Sequence, residues 1–569
     1  VRIPRPRQLL RRPLRLPQLL GRPSKPDDPR IFSFNAERDD VVSAVTERVV
    51  DDAVARGSLQ LLLNETAHLE VLRLEQQKDA ETAESLSFWR GLMKKLARMS
   101  PEEGRDALAR IVGHMARDVA GNFDPRVYWL ARRLVPKVVT GAMQPRALVG
   151  DLLDPSRNEL RRLVTIQGCV DELHHLSRVG TVVVVPTHSS NLDSLAVGNA
   201  LSMEDLPPVV YGAGKNLFSN PIISFFMHNL GAYRVDRRIR ASLYKDVLKA
   251  YSTEMIERGY HSLFFPGGTR SRSGAIERRL KLGLAGTAHT AFARSCERGR
   301  PQRVFFVPVT INYELVLEAE TLIEDFLKDA GRARYIIDDD EFSQIDRWYA
   351  FFNSVAGYEA ACVLRFGQPV DPYGNPVDEE GESHAPDGRR IDPASYVLHD
   401  GEPRADADRD AGYARALGER LVDAYERETV IMSTQLFAHV LFRHLVEYTP
   451  GVDLFGRMRR RGEVVVPREQ LRGELGRARD RLVRMQERGE VCVSPVMRRE
   501  DPDAIISRAL AAWRYHARPV VHHLGPEIVA EDPPLLFYYQ NRMVPFAERI
   551  ADDTQLAVAR EIAEAGRRA

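Results

Sequence analysis

The spacing of apolar residues divides the chain into stretches of different character. From about Asp39 to Leu153 the period is helical: Val41, Val42, Val45, Val49 and Val50 keep one stripe, and LQLLLNETAHLEVLRLEQQ continues it. SPEE at Ser100–Glu103 reads as a helix start, with an N-cap serine, proline at the first helical position and glutamate at the third. Phe88, Trp89, Leu92, Met93 and Leu96, flanked by Lys94, Lys95 and Arg98, fit a core stripe with a solvated back or an interfacial basic face.

From about Asn158 to Pro372 the pattern alternates between strand and helix, which predicts a sheet with covering helices and a substantial parallel part. A helix carrying Leu160, Leu163 and Val164 is expected first. The run TVVVVP from Thr181 follows, β-branched and apolar enough for a strand covered on both faces. Further strands are expected in PPVVYGA, HSLFFPGG, RVFFVPVTINYE (broken at Pro308) and AACVLRFGQPV, with RASLYKDVLKAYSTEMIERG and LKLGLAGTAHTAFARS as helices between them. Asp371–Asp410, rich in Pro, Gly, Asp and Glu, reads as a linker or surface loop, and the remainder as mostly helical. The expected organisation is an arm over 1–34, a helical domain over 35–154, an α/β domain over 155–372, the linker over 373–410 and a mostly helical C-terminal domain over 411–569.

Composition adds little for most of the chain. The formal charge of +1 over 569 residues gives no nucleic-acid signature. The four cysteines are far apart and lack CxxC spacing, so reduced thiols are expected, and no metal is implied. No apolar run reaches the length of a membrane span. Residues 1–30 are different: eight Arg and one Lys face Asp27 and Asp28, a local net of 9 − 2 = +7, and seven prolines interrupt any helix. With no continuous apolar core and no small-residue cleavage site, this stretch does not read as a secretory signal. It fits a solvated tail or a basic-apolar arm for an anionic membrane surface.

The chemistry concentrates where strands end. His188 falls just past the Thr181 strand, where open α/β sheets place their ligands. Asp193 follows five residues later, near the start of the next helix. A carboxylate that accepts one imidazole N–H fixes the tautomer and raises the basicity of the other nitrogen. By itself the spacing is weak, since fifteen histidines give about one such pair by chance at ordinary usage. The loop FFPGGTRSRSG, Phe264–Gly274, adds two glycines for close backbone approach and two arginines, Arg270 and Arg272, which suits a phosphate. A left-handed φ is expected at Gly267.

Four blocks in this order resemble the glycerolipid acyltransferase superfamily, the glycerol-3-phosphate and lysophosphatidate acyltransferases. They are HSSNLD, GAYRVDR with Gly231 and Arg237 aligned, FPGGTRS, and VPVTINYE with Pro308 in register. GNFDPRVYWLARRLVP, AGKNLF, SRSG, RFGQPV and LLFYYQNRMVPF are similar to the large bacterial and mitochondrial-type members. The third block is usually FPEGTRS; Gly267 stands where that glutamate would be, and Arg234 stands at a position that is often aromatic or aliphatic.

The resemblance implies transfer of an acyl chain from acyl-CoA or acyl-carrier protein, as co-substrate and without a cofactor, to the sn-1 hydroxyl of glycerol 3-phosphate. His188 would be the general base and Asp193 its orienting carboxylate. Arg270 is the first candidate for the phosphate, then Arg272 and Arg237, with Gly268, Thr269, Ser271 and Pro308 in the same blocks. Lys215 is a candidate for the donor's phosphates, and N–H groups near Gly267–Thr269 for the oxyanion. The expected place is the cytoplasmic face of the cell membrane, peripheral or monotopic, with no nucleic-acid partner. Three alternatives stay open: lysophosphatidate or dihydroxyacetone phosphate as acceptor, a weakly active lipid- or acyl-carrier-binding scaffold, and a hydrolase that uses the pair on water.

Overall fold

A computed structural model describes residues 28–76, 82–133, 164–215, 221–330 and 361–568. Most of the basic arm, the boundary expected near 154, and Leu160, Leu163 and Asn216–Phe218 lie outside the described residues.

Seven strands form one sheet. They are β1 (Val164–Gly168), β2 (Thr181–Pro186), β3 (Val210–Gly214), β4 (Ala232–Val235), β5 (Ser262–Leu263), β6 (Val304–Tyr313) and β7 (Cys362–Phe366). Their order is β1-β7-β6-β2-β5-β3-β4, and every pair is parallel except β6 with β7. The fold is therefore α/β with a mixed, mostly parallel sheet covered by helices, flanked by helical N- and C-terminal regions.

The all-valine run explains why β2 is central. Every residue of β2 is buried, between β6 on one side and β5 on the other. The chain leaves β2 for β3, β4 and β5 on one flank, then crosses to β6 and β7 on the opposite flank. That reversal opens a crevice at the carboxyl end of β2, the usual ligand position in such sheets.

Two expectations need correction. Val164 opens a strand rather than extending a helix, and the helix before β2 is Val170–Val179. Pro308 does not break its strand: β6 runs through it unbroken, opposite Val185, and its carbonyl accepts the Gly367 N–H at 2.8 Å. Proline removes a donor but keeps its acceptor, so one ladder bond is lost while the strand continues.

Helices α1 (Phe34–Ala55), α2 (Leu59–Glu75), α3 (Thr82–Leu96) and α4 (Pro101–Val119) form the N-terminal region. The valine stripe of α1 is buried as expected. Ser100 and Glu103 form the reciprocal capping box of α4, at 3.1 and 2.9 Å. Trp89, Leu92 and Leu96 are core, with Lys94 and Lys95 on the exposed back. This region shares one apolar core with the sheet's far edge, through Val210 and Tyr233, and with the helix Ser242–Glu257, through Leu243.

The segment from Asp371 to Asp410 contains two small two-stranded ladders and a short 3-10 helix, Pro393–Val397. Tyr373 and Val397 are buried against Phe292, Ala293 and Cys296. Its aromatic residues, thinly spaced in a polar sequence, anchor it to the catalytic region. Farther on, Ser433–Tyr448 is a nearly wholly buried helix, and Pro533–Gln540 packs beside it. Both belong to the same apolar core as β2 and β6. None of the described helices is long and apolar enough to cross a membrane.

Candidate active site

The loop after β2 turns so that Asp193, the first residue of helix Asp193–Met203, folds back on His188. Asp193 Oδ2 lies 2.8 Å from His188 Nδ1 and accepts the N–H groups of Ser189 and Ser190 at 2.6 and 2.9 Å. Its other oxygen, Oδ1, accepts the Tyr313 hydroxyl at 2.8 Å. The carboxyl is wholly buried, while the imidazole keeps 17% side-chain exposure. A buried carboxylate is stable there because four donors surround it. With Nδ1–H donating to Asp193, Nε2 carries the lone pair. The imidazole also stacks on Phe265, with ring centroids 4.3 Å apart, which restricts its rotation.

The Phe264–Gly274 loop, leaving the carboxyl end of β5, holds the histidine by its backbone. The Ser271 N–H donates to the His188 carbonyl at 2.7 Å, and Ser271 Oγ bonds the Ala275 carbonyl within the loop. On the other side, the His188 N–H donates to Glu277 Oε1 at 2.6 Å. Gly268, at φ +73°, takes the left-handed conformation expected at Gly267, because the Gly268 N–H closes a turn onto the Phe265 carbonyl at 3.0 Å. Lys281 lies over it: a Cβ on Gly268 would meet Lys281 Nζ at 2.7 Å.

Arg270 reaches the same loop. Its Nη1 is 3.6 Å from Glu318 Oε1, and that buried carboxyl accepts Ser190 Oγ at 3.2 Å and the Asn191 N–H at 2.9 Å. Burial raises the Glu318 pKa, against the Asn191 N–H and the Arg270 charge. Thr269 is exposed at the loop tip. Arg272 is half exposed and paired with Asp329. Pro308 sits inside the sheet. Lys215, at the end of β3, faces Asp236 at 3.4 Å and Asp118 at 3.8 Å. Arg237 is exposed after β4. Among the described residues, neither Lys215 nor Arg237 forms a hydrogen bond or ion pair with the His188 loop. His188, Asp193, Gly268, Arg270 and Ser271 are thus gathered together, and Arg272, Arg237, Lys215, Thr269 and Pro308 stand apart from them.

Several partners escaped sequence reasoning. Tyr313 ends β6, a strand buried along its whole length, so no alternation in VPVTINYE set it apart. Glu318 and Glu277 follow no local pattern that separates them from solvated carboxylates. Arg542, in the late LLFYYQNRMVPF stretch, is buried and donates to Ser189 Oγ. Burial lowers its pKa. It borders a small cavity of about 20 Å³, roughly one water, lined also by Ser189, Tyr313 and Tyr538.

Residues 168–312 match the Acyltransferase family model. The chain is 29% identical over 225 residues to a glycerol-3-phosphate acyltransferase of Pseudomonas paraeruginosa (strain DSM 24068 / PA7), covering 38% of this chain and 24% of that relative. A protein of the same name from Xylella fastidiosa (strain M23) is 27% identical over 212 residues, 37% of this chain and 22% of its own length. A third, from Pseudomonas fluorescens (strain SBW25), is 30% identical over 197 residues, 34% of this chain and 21% of its own. The matched stretches span less than a quarter of these curated relatives. The His188 and Asp193 dyad and the loop that clasps it fall inside the matched stretch, so residues 168–312 form an acyltransferase domain, in a chain similar over part of its length to these glycerol-3-phosphate acyltransferases.

Proposed function

We propose that this protein is a glycerol-3-phosphate O-acyltransferase that moves an acyl chain from acyl-CoA or acyl-carrier protein to the sn-1 hydroxyl. The observation that carries this reading is the 2.8 Å contact of His188 Nδ1 with an Asp193 carboxyl fixed by three other donors. His188 Nε2 takes the proton of the acceptor hydroxyl as its oxygen attacks the thioester carbonyl carbon. Asp193 holds the ring and balances the imidazolium. Collapse of the tetrahedral intermediate breaks the carbon–sulfur bond, and the proton on His188 leaves with the thiolate. The nucleophile belongs to the substrate, so no serine or cysteine of the protein is needed.

Arg270 supplies charge-assisted hydrogen bonds for the acceptor phosphate, and Lys281 adds a second cation over the same Pro-Gly-Gly turn. The name shared by the relatives supports the acceptor. The reading extends to peripheral association with the cytoplasmic face of the cell membrane, supported by the nine basic residues among the first thirty.

The test is incubation with labelled acyl-CoA or acyl-carrier protein and glycerol 3-phosphate. Labelled acyl-glycerol phosphate is expected. Labelled free fatty acid instead would indicate a hydrolase, and donor binding without turnover a scaffold. Acylation of lysophosphatidate or dihydroxyacetone phosphate, with glycerol 3-phosphate untouched, would move the acceptor within the family.

A further inference from the structure

The space beside Gly267 is already filled. A Cβ built on Gly267 would lie 2.7 Å from Glu277 Oε2 and 2.8 Å from its Cδ, closer than a Cβ and a carboxyl can sit. Glu277, ten residues further along the chain, therefore places its carboxyl where a side chain at 267 would begin. Oε1 accepts the His188 N–H at 2.6 Å. Oε2 is sealed from solvent and has no hydrogen-bond partner among the described residues, although the residue as a whole is only half-buried. A glycine at 267 and a glutamate at 277 thus describe one arrangement: the bare glycine leaves room for a carboxyl delivered from a different position.

We propose that Glu277 is a positioning residue of this site, a transplanted carboxyl that occupies the Gly267 space and locks the His188 backbone to the Pro266–Gly268 turn. It acts through His188 and not on the substrate. The carbonyl of His188 is held by Ser271 and its N–H by Glu277, so the residue is clasped from both sides by one loop. Without Glu277 the N–H loses its acceptor and the imidazole loses the support that sets its distance from a bound hydroxyl. A shift of about 1 Å in a reacting group costs roughly a hundredfold in rate. Burial pushes the Glu277 pKa up to about 8, against the His188 and Gly267 N–H groups and the Arg542 charge. At neutral pH the carboxyl is therefore mostly uncharged, and glutamine is a close mimic of it.

The inference rests on His188 as general base, and two readouts separate its failure from failure of that reading. One is acyl-transfer kcat and KM for glycerol 3-phosphate. The other is the rate at which diethyl pyrocarbonate acylates His188, followed by peptide mass spectrometry, which needs no turnover. Glu277→Ala is expected to lower kcat ten- to a hundredfold, leave the acceptor KM within about threefold, and change the His188 acylation rate at least fivefold, by about the same positioning argument. Glu277→Gln, which keeps the acceptor oxygen, should stay within about threefold of wild type on both readouts.

Gly267→Glu alone should be damaging, because two carboxyls would compete for one space. Gly267→Glu combined with Glu277→Ala should recover at least roughly a third of wild-type kcat, better than either single change. Glu277→Ala within twofold of wild type on both readouts would overturn the proposal. So would a glutamine variant as impaired as the alanine one, or a double variant no better than Glu277→Ala. Absent acyl transfer by wild type, with His188 acylation still dependent on Glu277, the positioning role stands and the acyltransferase assignment falls. If Glu277→Ala fails to fold, the double variant is judged against Gly267→Glu, and a double variant no better than that single change would overturn the proposal.

Discussion

The Tyr313 hydroxyl donates to Asp193 Oδ1 at 2.8 Å, joining the last residue of β6 to the first residue of the helix after β2. These two strands are parallel neighbours, so the bond ties the carboxyl ends of the sheet together across the crevice. Burial and the Asp193 charge raise the Tyr313 pKa well above its ordinary value, so the hydroxyl remains a donor at any working pH.

Removing that hydroxyl should cost rate without removing the dyad. A hydrogen bond to a charged group contributes about 1.5–3 kcal/mol, so Tyr313→Phe is expected to lower kcat by roughly ten- to a hundredfold. His188→Ala and Asp193→Asn should go further, by about 10²–10⁴. Steady-state assays of folded protein, with circular dichroism as the folding control, check the ranking. Wild-type turnover in His188→Ala would remove the general base from the mechanism.

The two arginines of the Pro-Gly-Gly loop should behave differently. Arg270→Ala is expected to raise the KM for glycerol 3-phosphate by roughly one to two powers of ten while the donor KM moves much less. Arg270→Lys should restore part of the loss, since a point charge lacks the bidentate fork. Arg272 is engaged with Asp329 at the surface, and Arg272→Ala should change either KM by less than about threefold. An equal acceptor-KM effect from both would mean that the loop turns its second arginine inward on binding.

Glu277 should also imprint a pH dependence on stability. Its folded pKa of about 8 lies above the ordinary glutamate value of 4.5, so between the two the folded state holds a proton that the unfolded chain has released. The stabilising contribution is complete below about pH 4.5 and is lost as pH rises to about 8, at no more than about 1.4 kcal/mol per pH unit. Arg542, Asp193, Tyr425 and the His188 N–H face the carboxyl and shape that window. Melting temperatures of wild type and Glu277→Gln should converge at the acidic end and separate toward pH 8, with the glutamine variant the more stable there. Parallel curves across that range would rule out the raised pKa.

Gly274 joins the catalytic loop to the C-terminal region. It sits at φ +75°, and a Cβ there would come 2.2 Å from the Tyr538 carbonyl oxygen. Left-handed backbone costs about 1–2 kcal/mol for a residue with a side chain, and the clash adds to it. Gly274→Ala should therefore shift the urea midpoint down and reduce kcat together. An unchanged midpoint would show that the loop can move off Tyr538 freely.

Much of this was legible in the chain, and the reasons differ by residue. The valine run of β2 has one reading, a strand buried on both faces, and His188 follows it at a fixed place. Asp193 was legible because a helix start five residues on must fold back. Pro308 misled: a proline inside an apolar run suggests a break, yet neighbours on both sides, β2 parallel and β7 antiparallel, keep the strand together. Gly267 misled too, because two adjacent glycines hide which one turns left-handed, and because the carboxyl beside it arrives from Glu277. Arg542 was out of reach, since nothing in a sequence pairs residues 353 positions apart.

That last separation has a consequence for how the protein is made. Ser189 leaves the ribosome long before Arg542, and at about 5–20 residues per second the interval is roughly 20–70 s. Throughout that time the nascent chain carries its histidine and aspartate without the guanidinium that caps their loop, and without the helix that buries Tyr538 beside it. The crevice is finished only once residues 533–542 have been made, so a ribosome-tethered fragment ending before residue 533 would be an unsealed enzyme, with the core of β2 and β6 still open to chaperones.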